Sequence, residues 1–323
     1  MARDHIVPQM LLRRFADDKQ RLLATPRSGG PQIPMTVSRA CRESGFYDID
    51  LDPAYSSLVH HNQIERALAD FEGRAARLFA RFTSGNASLS DQDRFDLMLF
   101  MSFQAVRGWS FRAELSEVGT LMARQELEVR MTPEVVRARL EEEGRPHDPA
   151  AVDAWRNELL TSNWKLVPSQ SFAVQQMGLL ALTVVHPDFY LRRRVRVLRF
   201  AEPCLLISDD PVVMWMGPDR PSNLPIGIGT ADILYMPIDR RHALALCLSG
   251  DEGVVDADPI EADRINHLVA THGHRWIFQH PQDSALDVSD LPESPKWSVE
   301  TLGVIVEEEQ VRIQKQLVRR QSS

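Results

Sequence analysis

Apolar residues recur at intervals of three and four through the middle of this chain, and from Arg194 onward they give way to short, bounded apolar runs. The first texture predicts amphipathic helices and the second predicts strands. Ile64, Leu68, Phe71, Ala75 and Leu78 share one stripe and predict a helix over 62–82. A second pattern runs from Phe95 through Trp109 toward Met122, capped by Ser88 or Ser90 with Asp91 and Asp93 in its first turn. It predicts one very long helix, or two broken near Gly108. Thr132–Leu140 and Pro149–Arg156 predict two shorter helices, read as a surface helical insertion over 130–162. Ser169–Val185 predicts the last helix before the texture changes, and Pro259–Thr271 another beyond it.

Val195–Phe200, Cys204–Ser208, Ile233–Met236, Ala243–Leu248 and Arg275–Phe278 predict a mostly antiparallel sheet. Arg21–Thr25 and Met35–Arg39 flank a loop rich in Gly and Pro and predict a hairpin. The charged Glu307–Arg320 run is helix-prone and reads as a solvated end. Together these elements predict an α+β fold in a single domain, 1–323, with the sheet drawn from the C-terminal third and the N-terminal strands.

Composition narrows the class. With 323 residues and 43% hydrophobic content the chain can bury a sizeable core. A net charge of −8 argues against a surface that grips nucleic acid everywhere, though not against a local basic groove. Cys41, Cys204 and Cys247 are too few and too far apart for a disulfide framework or a zinc motif, which fits a reducing cytoplasm. The most apolar helix, Phe172–Val185, is shorter than the roughly 20 residues that span a bilayer and contains Gln175 and Gln176. No membrane partner is expected.

Candidate chemistry concentrates in a few places. His5, Gln9 and Arg13 lie where an extended segment meets a short helix started by Pro8, with Leu11, Leu12 and Phe15 available for a buried stripe. The plain alternative is a pinned N-terminal segment with solvated arginines. Glu65 and Glu72 are seven apart on one helix face, with His61 four before Glu65 and His60 beside it. Gln104 and Arg107 sit inside a very apolar helix, where an unpaired guanidinium costs several kcal/mol, so Arg107 should meet Glu72 or Glu65. Ser208-Asp209-Asp210-Pro211 ends an apolar strand with a hydroxyl and two carboxylates at a turn, which an Asp-Pro turn alone also explains. The glycines of Leu224–Asp232 fit no phosphate-loop pattern, and His272, His274 and His280 fit no zinc spacing. Neither a serine-hydrolase elbow nor a zinc-protease motif is present.

Taken as a set, His5-x-Val-Pro-Gln9, Leu12-Arg-Arg-Phe15, Phe46-Tyr47, Glu65 with Glu72, Gln104-x-x-Arg107 and Ser208-Asp-x-Pro-Val212 resemble the bacterial family called domain of unknown function 4238. The chain departs from that pattern at Met10 and Asp210. The resemblance implies a cytoplasmic prokaryotic protein and brings no established activity. Its matching polar groups, spread over five segments, suggest one composite pocket.

Two readings follow. In the first, Glu65, Glu72 and Asp209 hold a divalent cation, Mg²⁺ or Mn²⁺, that activates water in a hydrolase of the nuclease or phosphodiesterase type. His5 then serves as acid or base with Glu72 and Asp209, while Gln9, Arg13, Gln104, Arg107 and Ser208 bind the phosphate-containing substrate, a small anionic ligand or nucleic acid. In the second, the same groups form an ion-pair network that binds an anion without turnover. Carboxylates converging on an open cavity favour the first; carboxylates each capped by arginine favour the second.

Overall fold

The computed structural model describes residues 3–49, 63–184, 192–218, 227–286, 291–292, 296–307 and 310–320. The expected α+β class is what it shows. Two compact units divide the chain. One comprises Met1–Phe111, Gln170–Val299 and Val318–Ser323, and the other Arg112–Ser169 and Glu300–Leu317.

In the first unit, strand β1 (Arg3–His5) leads through Pro8 into the short helix α1 (Gln9–Leu12) and a single 3₁₀ turn, Arg13–Phe15. Leu11, Leu12 and Phe15 are fully buried and anchor this segment. Pro8 occupies the position just before the helix with extended ψ, one place earlier than the first helical residue. The predicted hairpin is present as β2 (Arg21–Pro26) and β3 (Ile33–Thr36), antiparallel and in register Leu22↔Met35. The second strand starts earlier than its apolar residues suggest, because Val37 to Ala40 turn. Strand β4 (Arg42–Ser44) then pairs with β1, His5 opposite Arg42.

Helix α2 (Gln63–Thr83) buries Leu68, Ala75 and Leu78 of the predicted stripe together with Phe79 and Phe82, while Ile64 and Phe71 are half-buried. Helix α3 (Asp91–Val106) starts at a capping box in which Ser90 and Asp93 satisfy each other's backbone N–H groups. It packs on α2 through Phe79 against Phe100, edge to face with centroids 5.5 Å apart, and Phe71 stacked on Phe103. The helix stops at Arg107, and α4 (Trp109–Arg130) begins after Gly108, so the break falls where the glycine predicted it. Burying one such Phe or Leu contributes about 1.5–3 kcal/mol.

Helix α7 (Gln170–Val184) returns to the first unit and packs on α3. The main sheet follows, built from β5 (Arg194–Arg199), β7 (Val213–Trp215), β8 (Ile233–Asp239), β9 (His242–Cys247) and β10 (Gly253–Asp256). Its order is β10-β5-β9-β8-β7, with only the β10–β5 pair parallel. A second sheet, ordered β3-β2-β11-β6, joins the hairpin to β11 (Trp276–Gln279) and the two-residue β6 (Ile207–Ser208). Helix α8 (Pro259–His272), capped by Asp258, covers β6 and β7. Arg193, 1% exposed, donates to the carbonyls of Ile228, Ala231, Asp232 and Leu246 at 2.7–3.4 Å and so ties the 227–232 turn to β9.

In the second unit, α5 (Pro133–Glu142) and α6 (Pro149–Thr161) start at Thr132 and Asp148 caps, each with Pro next in line. Val136, Leu140 and Val152 form their small core, flanked by Met131 and Trp155. The 130–162 segment expected as an insertion falls wholly inside this unit. Of the run expected to be helix-prone, Glu307 and 310–320 are strand: β12 (Lys296–Glu307) pairs with β13 (Gln310–Arg320). The physical reason lies in the alternation of Val311, Ile313 and Leu317 with Arg312, Gln314 and Gln316, a period of two that outweighs the helix propensity of the charged residues.

Candidate functional site

Three elements meet at Arg107. Its side chain, 1% exposed, leaves the end of α3 and donates from Nη2 to the His5 carbonyl at 3.0 Å and from Nε to the Ile6 carbonyl. Nη1 bonds Glu72 Oε1 of α2 at 2.9 Å. The buried guanidinium thus has the carboxylate partner its apolar helix required, and it clamps the β1 end against α2.

His5 is held in a relay. Gln9 Nε2 lies 2.9 Å from His5 Nε2, and Arg13 Nη2 donates to Gln9 Oε1 at 2.6 Å. A guanidinium has no acceptor, so it fixes the oxygen of the Gln9 amide toward Arg13 and the NH₂ toward the imidazole. His5 Nε2 therefore accepts, which places the ring proton on Nδ1, and the ring also has a hydrogen bond to the Ser38 backbone. Burial holds the imidazole below its ordinary pKa, aided by the positive charges of Arg42 and Arg107 and opposed by the Ser38 bond and Glu72. Neutral His5 is the consequence near pH 7.

The relay forms one wall of a cleft of about 350 Å³. His5, Gln9, Met10 and Arg13 line that wall with Tyr47, and Glu65 and Glu72 line the α2 side with Leu68, Ala69, Gly73 and Ala76. Arg13 is exposed and, among the described residues, has no carboxylate within ion-pair distance. Glu65 likewise has no hydrogen bond or ion pair among the described residues. Burial raises its pKa, reinforced by the charges of Asp4 and Glu72 and opposed by Arg107. Tyr47 N–H donates to Asp4 Oδ2 at 3.2 Å, which ties the β1 start to the far side of β4.

Asp209 and Ser208 lie elsewhere, outside the cleft lining. Asp209 Oδ1 accepts from the His274 N–H at 2.7 Å, and Oδ2 from the N–H groups of Arg275 and Trp276 at 2.7 and 3.0 Å. The carboxylate is 1% exposed, and burial pushes its pKa up to about 6 against the pull of those three bonds. Ser208 Oγ, fully buried, donates to the Asp210 carbonyl at 2.9 Å and accepts from the Asp210 N–H. The cation site expected from Glu65, Glu72 and Asp209 is accordingly not assembled: among the described residues no three His, Cys, Asp or Glu side chains are placed to hold a metal ion. Gln104 is 2% exposed and its amide has no hydrogen-bond partner among the described residues; it too is absent from the cleft lining. His60 and His61 lie outside the described residues.

Asp209 is nonetheless linked to the cleft through structure. It fixes the backbone of 274–276, and the Arg275 guanidinium lies over the Trp109 ring, 4.0 Å from its centroid. A Cβ on Gly108 would meet the Asp209 carbonyl at 3.5 Å, so the α3–α4 corner passes directly against this strand end. That corner carries Arg107. Sequence reasoning missed Asp4 and Arg42, whose roles depend on the unforeseen β1–β4 pairing; Tyr47 was visible only through its place in a motif.

The class so defined is an α+β protein with a polar cleft between its N-terminal segment and a long helix. Within that class, this chain belongs to the family described as protein of unknown function, DUF4238, whose model matches residues 3–283. No curated protein and no solved structure matches it. Among the described residues, no helix is long and apolar enough to cross a membrane.

Proposed function

We propose that the cleft is a binding site for a small molecule bearing a phosphate or carboxylate, with the anionic group at Arg13. The observation that carries this reading is a guanidinium that lines a cleft of small-molecule size and is oriented by Gln9, with no carboxylate partner among the described residues. Glu72 is neutralised by Arg107 and Asp209 by three amides, the arrangement expected of a binding network more than of a cation site. Calorimetric titration with inorganic phosphate and n-butyl phosphate at low ionic strength tests it. Saturable binding that weakens with salt and is lost in Arg13→Ala is expected; no saturable binding, or binding indifferent to Arg13, overturns it.

Hydrolysis of a phosphate ester in the same cleft is the second reading, favoured by a neutral imidazole and by Glu65, of raised proton affinity and without an ion pair among the described residues, lining one cavity. Release of p-nitrophenol from p-nitrophenyl phosphate, with and without Mg²⁺ or Mn²⁺, separates the two. Turnover that disappears in both Glu65→Gln and His5→Gln selects the hydrolase.

A further inference from the structure

The cleft carries Arg13 and Glu65 on separate parts of its lining, and Leu68, Ala69 and Gly73 form an apolar strip beside His5, Gln9 and Glu72. Along α2 its lining runs from Glu65 to Ala76, about 16 Å at 1.5 Å per residue. Arg14, the neighbour of Arg13, reaches Thr83 Oγ1 near the C-terminal end of α2 at 3.3 Å, so the 3₁₀ turn that bears Arg13 lies by that end of the helix. Glu65 lies at the other end, near enough to Asp4 and Glu72 to be influenced by both. Leu68, Ala69 and Gly73 line the cleft between the two ends, with Glu72 beside them.

The Glu65 end is electrostatically unbalanced. Asp4 acts on Glu65 there, Glu72 follows two helical turns along, and among the described residues the cation that acts on Glu65 is Arg107, already committed to Glu72 and two carbonyls. An exposed carboxylate in water would need no partner, but Glu65 is partly buried beside two like charges, a position that favours an incoming cation. Arg13, toward the other end, is exposed and offers N–H donors to an anion.

Building on the anion-binding reading, we infer that the ligand is bipolar: an organic anion held at Arg13 that carries, across a short apolar spacer, an ammonium group held at Glu65. Guanidinium recognises the anion by paired N–H donors, the ammonium donates to the Glu65 carboxylate, and the spacer covers Leu68, Ala69 and Gly73. A ligand with only the anion leaves the Glu65 end unneutralised and so binds more weakly.

The test is calorimetric titration of the full chain with n-butyl phosphate, 4-aminobutyl phosphate and n-butylamine. Wild type is expected to bind 4-aminobutyl phosphate about tenfold or more tightly than n-butyl phosphate. In Glu65→Gln the ratio of the two dissociation constants falls toward one, and in Glu65→Lys it inverts. Equal affinities in wild type, or a preference that survives Glu65→Gln, overturn the bipolar ligand while leaving the anion site in place. If neither phosphate binds, the anion site itself is overturned. Circular dichroism melts of the Glu65 and Arg13 variants confirm that each is folded before titration.

Discussion

Arg107 and Glu72 form an ion pair of 2.9 Å in which the guanidinium is 1% exposed and the carboxylate 24%. The same guanidinium also holds the carbonyls of His5 and Ile6, so one side chain joins α3, α2 and the first strand. Replacing Arg107 by Met leaves Glu72 and two buried carbonyls without their donor, a loss of about 3–5 kcal/mol by the usual cost of breaking a buried pair. Urea unfolding measures it. Arg107→Lys recovers only part, because an ammonium cannot reach all three acceptors in the guanidinium's planar geometry. A loss under about 1 kcal/mol in Arg107→Met contradicts the clamp.

The imidazole of His5 titrates below the ordinary histidine range because it is partly buried. A base whose folded pKa is depressed contributes stability that is present above the unfolded value, about 6.5, and is lost as pH falls from there through the folded pKa. NMR titration of the His5 ring resonances is expected to give a pKa below that of a free histidine. Gln9→Glu raises it, by placing a carboxylate against Nε2. A His5 pKa at or above the free value in wild type rejects the neutral imidazole inferred from its burial.

Asp209 has the reverse sign. Its folded pKa is pushed up to about 6 from 3.8, so the native state binds the proton more tightly than the unfolded chain, and this term is most favourable below the unfolded value and lost as pH rises toward 6. Between pH 4 and 6 the stability advantage of wild type over Asp209→Asn is therefore expected to shrink by on the order of 2 kcal/mol. Asn turns one N–H donor against the amides of 274–276, so the variant is less stable than wild type at pH 4. Guanidinium unfolding at both pH values reads both effects, and a difference that grows with pH contradicts the assignment.

How far the sequence disclosed this architecture depends on what each residue had to satisfy. The α2 stripe was legible because a 3.6-residue apolar period has one geometric meaning, and the Arg107–Glu72 pair because a buried guanidinium demands a carboxylate. Asp209 was not. A strand-end aspartate looks the same whether its carboxylate meets a ligand, a cation or three amides of another strand. Residues 310–320 misled because Glu, Gln, Lys and Arg favour helices, and the interleaved Val311, Ile313 and Leu317 were given too little weight.

Arg193 tests the main sheet. Its guanidinium serves four carbonyls, two of them closer than 3.1 Å. Arg193→Met leaves them unsatisfied and is expected to cost about 3 kcal/mol or more. Faster hydrogen exchange in β9 and around 227–232 is the accompanying sign; protection equal to wild type in both places rules out the role.

Asp209 has one more consequence. Because it steadies 274–276, and through Arg275 and Gly108 the corner that bears Arg107, its influence reaches a cavity that it does not line. A variant at 209 will therefore imitate the loss of a ligand-contacting group, with weakened affinity and a shifted His5 titration, although the missing oxygens never touch what is bound. The residue is a remote buttress, and its phenotype is that of a displaced wall.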